Sequence, residues 1–483
     1  MAGATRRDFL RAAGAAGAAA LLGRRTAFGA SPAAGRAPNI ILVLADDLGY
    51  GDVGCYGQPR IKTPAIDALA RQGARFTQAY SGSPVCAPSR CVLMTGRHSG
   101  HAFVRDNREI EPEGQIPLPA GTPTIPGLLR SAGYATALVG KWGLGYPGSP
   151  GEPNAQGFDY FFGFNCQRQA HNYYPAYLWR NREKVVLAGN SDGVTGAQYA
   201  PDLFEAEGLR FIRANKDRPF FLEFATTIPH LALQVPEDSL AEYRGLWDDP
   251  PYDGKAGYQP QRSPRAAYAA MVTRLDRSVG RIAALLEELG LEESTLVIVT
   301  SDNGASFPAA GYDPAFFGGT GPFRGTKGSV YEGGIRVPLV VRWPGRVRPG
   351  TECGRVTAFE DFLPTLLAAA GAARAVPAGT DGISFLPALL GSGRQAERPF
   401  LYMEFEGFGG QVMVRLGDWK GVRRDLAKNP AAPLELYDLS SDIGETKDVA
   451  AAHPDIAARM TGIIRAEHRP SKEFPLPALD GLR

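Results

Sequence analysis

Two pairs of oxygen-bearing side chains close apolar runs in this 483-residue chain. Asp46 and Asp47 end NIILVLADD, and Asp302 and Asn303 end LVIVTSDN. Such runs read as buried strands of a parallel sheet. In open α/β sheets, ligands gather at the carboxyl ends of the strands. Four oxygens converging there suit a hard divalent cation, Ca²⁺ or Mg²⁺. Each pair alone also suits a plainer role: Asp46-Asp47 as a helix cap, and Asp302-Asn303-Gly304 as a turn. Cys86-Ala87-Pro88-Ser89-Arg90 lies between the pairs. Pro88 favours a helix start, and Arg90 falls one helical turn after Cys86, on the same side. By itself this also fits a reduced cysteine at a helix start with a solvated arginine. Six histidines make a short list for acid–base work.

The elements that must position these residues alternate. TPAIDALARQG reads as a helix with Thr63 as cap, Pro64 at its first position and Gly73 as its stop. ARFTQAY reads as a strand, and a helix follows soon after Pro88. TPTIPGLLRSAG is a helix; YATALVGK, PFFLEFATT and VPLVVRW are strands. SPRAAYAAMVTRLDRSVGRIAALLEELG is a long amphipathic helix from Ser263 to Gly290, and FEDFLPTLLAAAG a later one. Strands separated by helices predict an α/β fold, a mixed or parallel sheet with helices on both faces. The rhythm breaks near 372–400. FLYMEF, QVMVRL, LELYDL and a helix near 454–467 predict a small α+β unit beyond it. The Gly-, Asn-, Tyr- and Trp-rich stretch 145–200 shows little periodicity and reads as site-forming loops.

Composition narrows the class. Fifty-two basic and 50 acidic residues give a net charge of +2, without the basic excess of a nucleic-acid protein. Five Cys in so long a chain are too few for a disulfide scaffold. Thr5-Arg6-Arg7-Asp8-Phe9-Leu10, a weakly apolar run to Leu22, and small residues near Ala27–Ala30 read as a twin-arginine export signal. The run is too short to span a bilayer. Residues 1–30 carry five Arg and one Asp, so the mature chain has 47 basic and 49 acidic residues. This predicts a periplasmic or secreted protein with no membrane span.

PVCAPSRCVLMTG, residues 84–96, resembles the sulfatase signature at every defined position. Other segments match that family in order: NIILVLADDLGYGD, AGYATALVGKWGLG, TSDNG, FRGTKGSVYEGGIRVP, and near the end GDWKGVRR and ELYDLSSDIGE. The resemblance runs from residue 38 onward. It implies an alkaline phosphatase-like fold: a large, mainly parallel mixed sheet over 38–375 and a smaller α+β unit over 395–475. It implies a sulfuric ester hydrolase in which a formylglycine-generating enzyme oxidises Cys86 to an aldehyde. The hydrated aldehyde attacks sulfur with one hydroxyl and expels sulfate with the other, dividing one hard step into two. The resemblance further implies that Asp46, Asp47, Asp302, Asn303 and residue 86 hold Ca²⁺, whose charge would acidify a hydroxyl. It implies that Arg90 stabilises the ionised hydroxyl, that Lys141 and Lys327 face the sulfate, and that His230 serves the leaving group.

One position departs from the pattern. The family's second signature carries histidine two residues after the lysine, where this chain has Gly143. A glycine accepts no proton, so one acid–base step lacks its usual residue. Two segments read as substrate loops for a sulfated carbohydrate: RHSGHAFVRDN, with His98, His101 and Arg105, and CQRQAHNYYPAYLW, with His171. Loop packing explains them equally well. Two rival functions stand beside the sulfatase reading. One is a phosphonate monoester or phosphodiester hydrolase of the same fold, and the other a non-catalytic carbohydrate-binding protein.

Overall fold

The computed structural model describes residues 36–481 apart from residue 256. The export-signal reading of residues 1–30 falls outside the described residues. The strands in chain order begin with Asn39–Ala45 (β1), Ala74–Phe76 (β2), Ala79–Tyr80 (β3), Ala135–Lys141 (β4), Tyr160–Phe164 (β5) and Tyr177–Arg180 (β6). Glu183–Val186 (β7), Phe220–Ala225 (β8), Thr295–Ser301 (β9), Leu339–Arg342 (β10), Thr351–Cys353 (β11) and Thr357–Ala358 (β12) follow. Ten of these form one mixed sheet in the order β11-β2-β10-β9-β1-β8-β4-β5-β6-β7. Its centre, β9-β1-β8-β4, is parallel throughout. The last residues of these four strands therefore lie along one edge, and the pairing of Ala45 with Ser301 puts Asp46 beside Asp302.

Helices cover both faces, as the alternation predicts. We label them Pro64–Gln72 (α1), Cys86–Thr95 (α2), Ile125–Ser131 (α3), Ala200–Ala214 (α4), Pro264–Glu288 (α5), Phe362–Ala369 (α6) and Pro454–Glu467 (α7). Odd positions of β1, Ile41 and Val43, pack with side chains of α1, α4 and α5. Even positions, Ile40, Leu42 and Leu44, pack with α2, α3 and α6. The two-residue period of the strand thus feeds two cores. The catalytic-signature helix α2 begins at Cys86 itself, with Pro88 in its first turn, where an N–H would have no helical partner. ARFTQAY breaks into β2 and β3.

The stretch 145–200 is more ordered than its sequence predicts. It adds β5, β6 and β7 to the sheet edge. YFFGF buries Phe162 and Phe164 on one face and Phe161 on the other, so no polar residue marks the alternation. Helix α4 is a further element to which the sequence reading assigned none.

Leu401–Phe405 (β13), Gln411–Leu416 (β14), Trp419–Arg423 (β15) and Glu435–Asp438 (β16) form a separate antiparallel sheet. One face, with Leu401, Met403, Phe405 and Met413, packs on Tyr80, Val85, Val330 and Tyr331. Those four residues flank Cys86 and Lys327. The other face, with Val412 and Val414, packs on Met460 and Ile464 of α7. Strand β15 escaped the sequence reading because Lys420 and Arg423 disguise it. Lys420 is wholly buried. Its ammonium lies 2.9 Å from Glu332 and 2.8 Å from Glu445. Glu332 also accepts from Tyr80 at 2.7 Å and Arg336 at 3.0 Å. All five cysteines are unpaired.

Removing one member of a buried ion network leaves an uncompensated charge, at about 3–5 kcal/mol. Lys420→Met is therefore expected to lower the unfolding free energy by an amount in that range at neutral pH, read as a lower denaturant midpoint at unchanged m. Burial raises the Glu332 carboxyl, but Lys420, Arg336 and Arg415 outweigh it and hold it at about 2. A depressed carboxyl stabilises above its unfolded value and loses that stabilisation as pH falls through the folded one. The gap between parent and variant should thus narrow as pH falls from 4.5 towards 2. An unchanged midpoint at pH 7 would contradict this role.

Candidate active site

The edge formed by β9, β1, β8 and β4 collects the charged residues. Asp47 takes a left-handed backbone (φ 65°), a conformation that side-chain-bearing residues visit rarely. Its N–H donates to Asp302 Oδ1 at 3.2 Å, and Leu48 N–H to Ser301 Oγ at 2.8 Å. The turn after β1 is therefore fastened to the end of β9. Cys86, at the start of α2, places its thiol 3.4 Å from Asp46 Oδ1. Ala87 N–H donates to Asn107 Oδ1 at 2.9 Å and Ser89 Oγ accepts from Gly82 N–H at 3.0 Å, fixing the approach to the helix.

Arg90 reaches Asp302 Oδ2 through Nε at 3.1 Å and Nη2 at 2.8 Å, and donates to the Lys141 carbonyl at 2.6 Å. Lys141 Nζ stands 2.6 Å from Asp46 Oδ2. Lys327 Nζ stands 2.8 Å from Asp47 Oδ1. The Lys327 loop is tied down by Lys327 N–H to Ala305 O and Gly328 N–H to Pro84 O, both 2.8 Å. The second of these bonds joins it to the approach to Cys86. His230 Nε2 lies 3.6 Å from Asp47 Oδ2. Its Nδ1 contacts the Leu231 carbonyl, which only accepts, so Nδ1 carries the proton and Nε2 the lone pair. His171 stacks on His230, centroids 4.4 Å apart and 15° between planes.

Sequence-predicted residues Asp46, Asp47, Cys86, Arg90, Lys141, His230, Asp302, Asn303 and Lys327 thus converge. His171, expected on a substrate loop, joins them through His230. His98, His101 and Arg105 are bonded elsewhere. His98 Nε2 lies 3.2 Å from Glu467 and His101 Nδ1 3.0 Å from Asp381. Gly100 N–H donates to His98 Nδ1, so Nε2 of that ring carries a proton and donates to Glu467. Arg105 donates to Glu404, Arg469 O, Ala102 O and Gly100 O. These three side chains fasten the loop after α2 to β13 and the C-terminal segment. Beside this packing role, His101 and Arg105 line a cavity of about 490 Å³ together with Thr95, Phe103 and Pro470. The sequence reading missed Glu223, an acid inside the apolar run of β8. Burial raises its carboxyl to about 7, with Arg90 opposing.

The electrostatics are those of a site that holds charge. Three carboxylates, Asp46, Asp47 and Asp302, face three cations, Arg90, Lys141 and Lys327, all buried. Burial alone would raise Asp46, but Lys141, His230, Arg90 and Lys327 hold it well below the ordinary range. Burial, then Asp46, push Asp302 upward against Arg90. Burial pushes the Cys86 thiol up to about 12, so this position does not favour the thiolate that cysteine chemistry requires. Burial, then Lys327, drives His230 well below the usual histidine value, and burial, then His230, does the same to His171.

The donor set fits a divalent cation. Asn303 Oδ1 is buried without a partner, among three carboxylates of which Asp302 is pushed upward by burial and by Asp46. Oxygen donors of this kind suit a hard ion. A sulfate monoester and an ionised hydroxyl together bring about two negative charges, which a divalent ion offsets in an otherwise neutral cluster.

The chain is similar to known proteins over most of its length. The Sulfatase family model matches residues 38–372, and the model described as N-sulphoglucosamine sulphohydrolase, C-terminal, matches 324–466. Human arylsulfatase A is 33% identical over 485 residues, 91% of this chain and 90% of that protein. Human N-acetylgalactosamine-6-sulfatase is 34% identical over 380 residues, 76% of this chain and 68% of that one. The crystal structure of Ps i-CgsB in complex with k-i-k-neocarrahexaose superposes with a TM-score of 0.76 at 29% identity. It covers 90% of this chain and 94% of that one. Sulfatases generally use formylglycine and a metal ion. The chain belongs to the sulfatase family and is a sulfuric ester hydrolase.

Proposed function

We propose that this protein hydrolyses a sulfate ester of a carbohydrate, with Cys86 converted to formylglycine by a formylglycine-generating enzyme and Ca²⁺ held by Asp46, Asp47, Asp302 and Asn303. The observation that carries the reading is the buried cluster itself: Arg90, Lys141 and Lys327 arranged around a cysteine whose thiolate is suppressed. Two similarities support a carbohydrate, the relative named N-acetylgalactosamine-6-sulfatase and the structure solved with k-i-k-neocarrahexaose. The twin-arginine segment supports export to the periplasm or beyond. No helix among the described residues is long and apolar enough to cross a membrane. The separate antiparallel sheet of β13 to β16 supports a C-terminal unit over 395–475 beside a catalytic unit over 38–375.

When present, the hydrated aldehyde supplies a hydroxyl nucleophile, and the cation supplies charge that acidifies it and draws in sulfate. The chain's own residues do the rest. Arg90 is held by two bonds to Asp302 and one to a backbone carbonyl, so its charge stays fixed beside residue 86. Lys141 and Lys327 rest on opposite carboxylates and present ammonium donors to sulfuryl oxygens, where negative charge grows. His230 keeps a lone pair on Nε2, which could take the proton given up by the attacking hydroxyl and pass it to the leaving oxygen. Tyr173, whose hydroxyl donates to Thr227 O at 2.7 Å and His230 O at 2.6 Å, holds that loop in place. The wholly buried site excludes bulk water and strengthens each of these interactions.

Matched aryl and sugar esters test the proposal. Sulfate release from a sulfated monosaccharide is expected to exceed hydrolysis of the matched phosphate diester and phosphonate. Faster phosphonate or diester cleavage would overturn it. Cys86→Ala should lose at least about a thousandfold in kcat. Lys141→Ala should lose about 10²–10³ in kcat with the greater part outside KM. A variant that changed KM alone would place Lys141 in ground-state binding instead. Elemental analysis should find about one calcium per chain, and Asp302→Asn should reduce it.

A further inference from the structure

Buried polar atoms without partners gather at the carboxyl edge of the sheet. Among the described residues they include Gln115 Nε2 and Oε1, Asn165 Oδ1, Gln167 Nε2 and Oε1, Thr226 Oγ1 and Asn303 Oδ1. Each stands just past the end of a sheet strand or, for Gln115, beside Gly145, to whose carbonyl its N–H donates at 3.2 Å. A buried donor or acceptor left unpaired costs about 1–3 kcal/mol. Natural structures keep such groups where a ligand or ion satisfies them.

Gln167 is the most telling of these. Both ends of its carboxamide lack a partner, and the residue is 3% exposed. Its Nε2 occupies the space beside Gly143: a Cβ built on that glycine would lie 1.8 Å from it. Gly143 has a left-handed backbone (φ 93°), and its N–H donates to Asn165 O at 3.1 Å, binding the end of β4 to the chain that carries Gln167. Gly143 follows Lys141 by two residues, about 7 Å along extended chain. Lys141 is the ammonium against Asp46. Gln167 also precedes, by four residues, the His171 that stacks on His230. Its amide therefore packs beside the backbone that leaves β4 after Lys141, on the segment that leads to His171.

We propose that Gln167 touches the substrate: its Nε2–H₂ donates to a sulfuryl oxygen beside Lys141, in the space that a side chain at 143 would otherwise fill. This rests on the sulfate-ester reading above. An amide in that place binds and orients but moves no proton. The proton traffic that a histidine at 143 would carry is thereby left to His230 and His171.

The test uses calcium-loaded, formylglycine-bearing enzyme, an aryl sulfate as substrate and inorganic sulfate as inhibitor. Gln167→Ala is expected to lower kcat/KM at least tenfold and to weaken sulfate inhibition by a similar factor, with the unfolding midpoint retained. Gln167→Glu keeps the shape but brings a carboxylate to the sulfate. It should fall below the alanine variant at neutral pH and recover relative to it as pH falls and the carboxyl regains a donor proton. A merely structural glutamine predicts no such pH-dependent recovery. Both variants within twofold of the parent, or both lowered equally at every pH, would overturn the assignment while leaving the sulfatase reading intact. A parent enzyme with formylglycine that releases sulfate from no ester would overturn both.

Discussion

The buried opposition of three carboxylates and three cations at one sheet edge governs the rest of this structure. Charges removed from water are tolerated only when paired with good geometry. Here every pair is made by elements distant in sequence. Asp46 meets Lys141, Asp47 meets Lys327, and Asp302 meets Arg90. Loss of register between β1 and β9, or of the seat of α2, would leave several buried charges unpaired together. The fold is thus held to the site as firmly as the site is held by the fold. The same balance lets a dication enter together with an anionic ester and an ionised hydroxyl as a neutral set.

The C-terminal sheet belongs to this arrangement. Its apolar face packs on residues flanking Cys86 and Lys327. Its buried Lys420 holds Glu332, five residues after Lys327. The loop that carries the Lys327 ammonium is therefore anchored on two sides, by backbone bonds to the Cys86 approach and by an ion network in the second sheet. His98, His101 and Arg105 extend the same anchoring from the far end of α2 to the C-terminal segment. Their polar sequence resembles a sugar-binding loop, but the polar atoms named above are directed to protein groups: Glu467, Asp381, Glu404, backbone carbonyls and the Gly100 N–H.

Much of this was legible in the sequence, for physical reasons. Apolar strands ending in acids marked β1 and β9 because a parallel central strand shows no polar alternation and a ligand edge needs charge. The sulfatase signature located α2 and its arginine. What stayed hidden was hidden by local chemistry. The strand YFFGF has aromatics on both faces and so no period. Strand β15 carries lysine and arginine that are paired only in three dimensions. Gln167 has no charge or motif to announce it. Its significance lies in two unpartnered amide atoms and in the absent side chain at Gly143, both visible only once the chain is folded. His171 could be picked out as a candidate, but its stacking on His230 depends on a loop returning across the site.

The suppressed thiol at position 86 is the point on which the chemistry turns, because a cysteine held protonated is neither nucleophile nor ligand. Mass spectrometry of the tryptic peptide containing residue 86, from full-length protein made alongside a formylglycine-generating enzyme, tests it most directly. The account predicts a peptide lighter than the encoded cysteine requires and reactive towards a carbonyl reagent, in proportion to sulfate-ester turnover across preparations. An unmodified cysteine in a preparation that hydrolyses sulfate esters at full rate would contradict it.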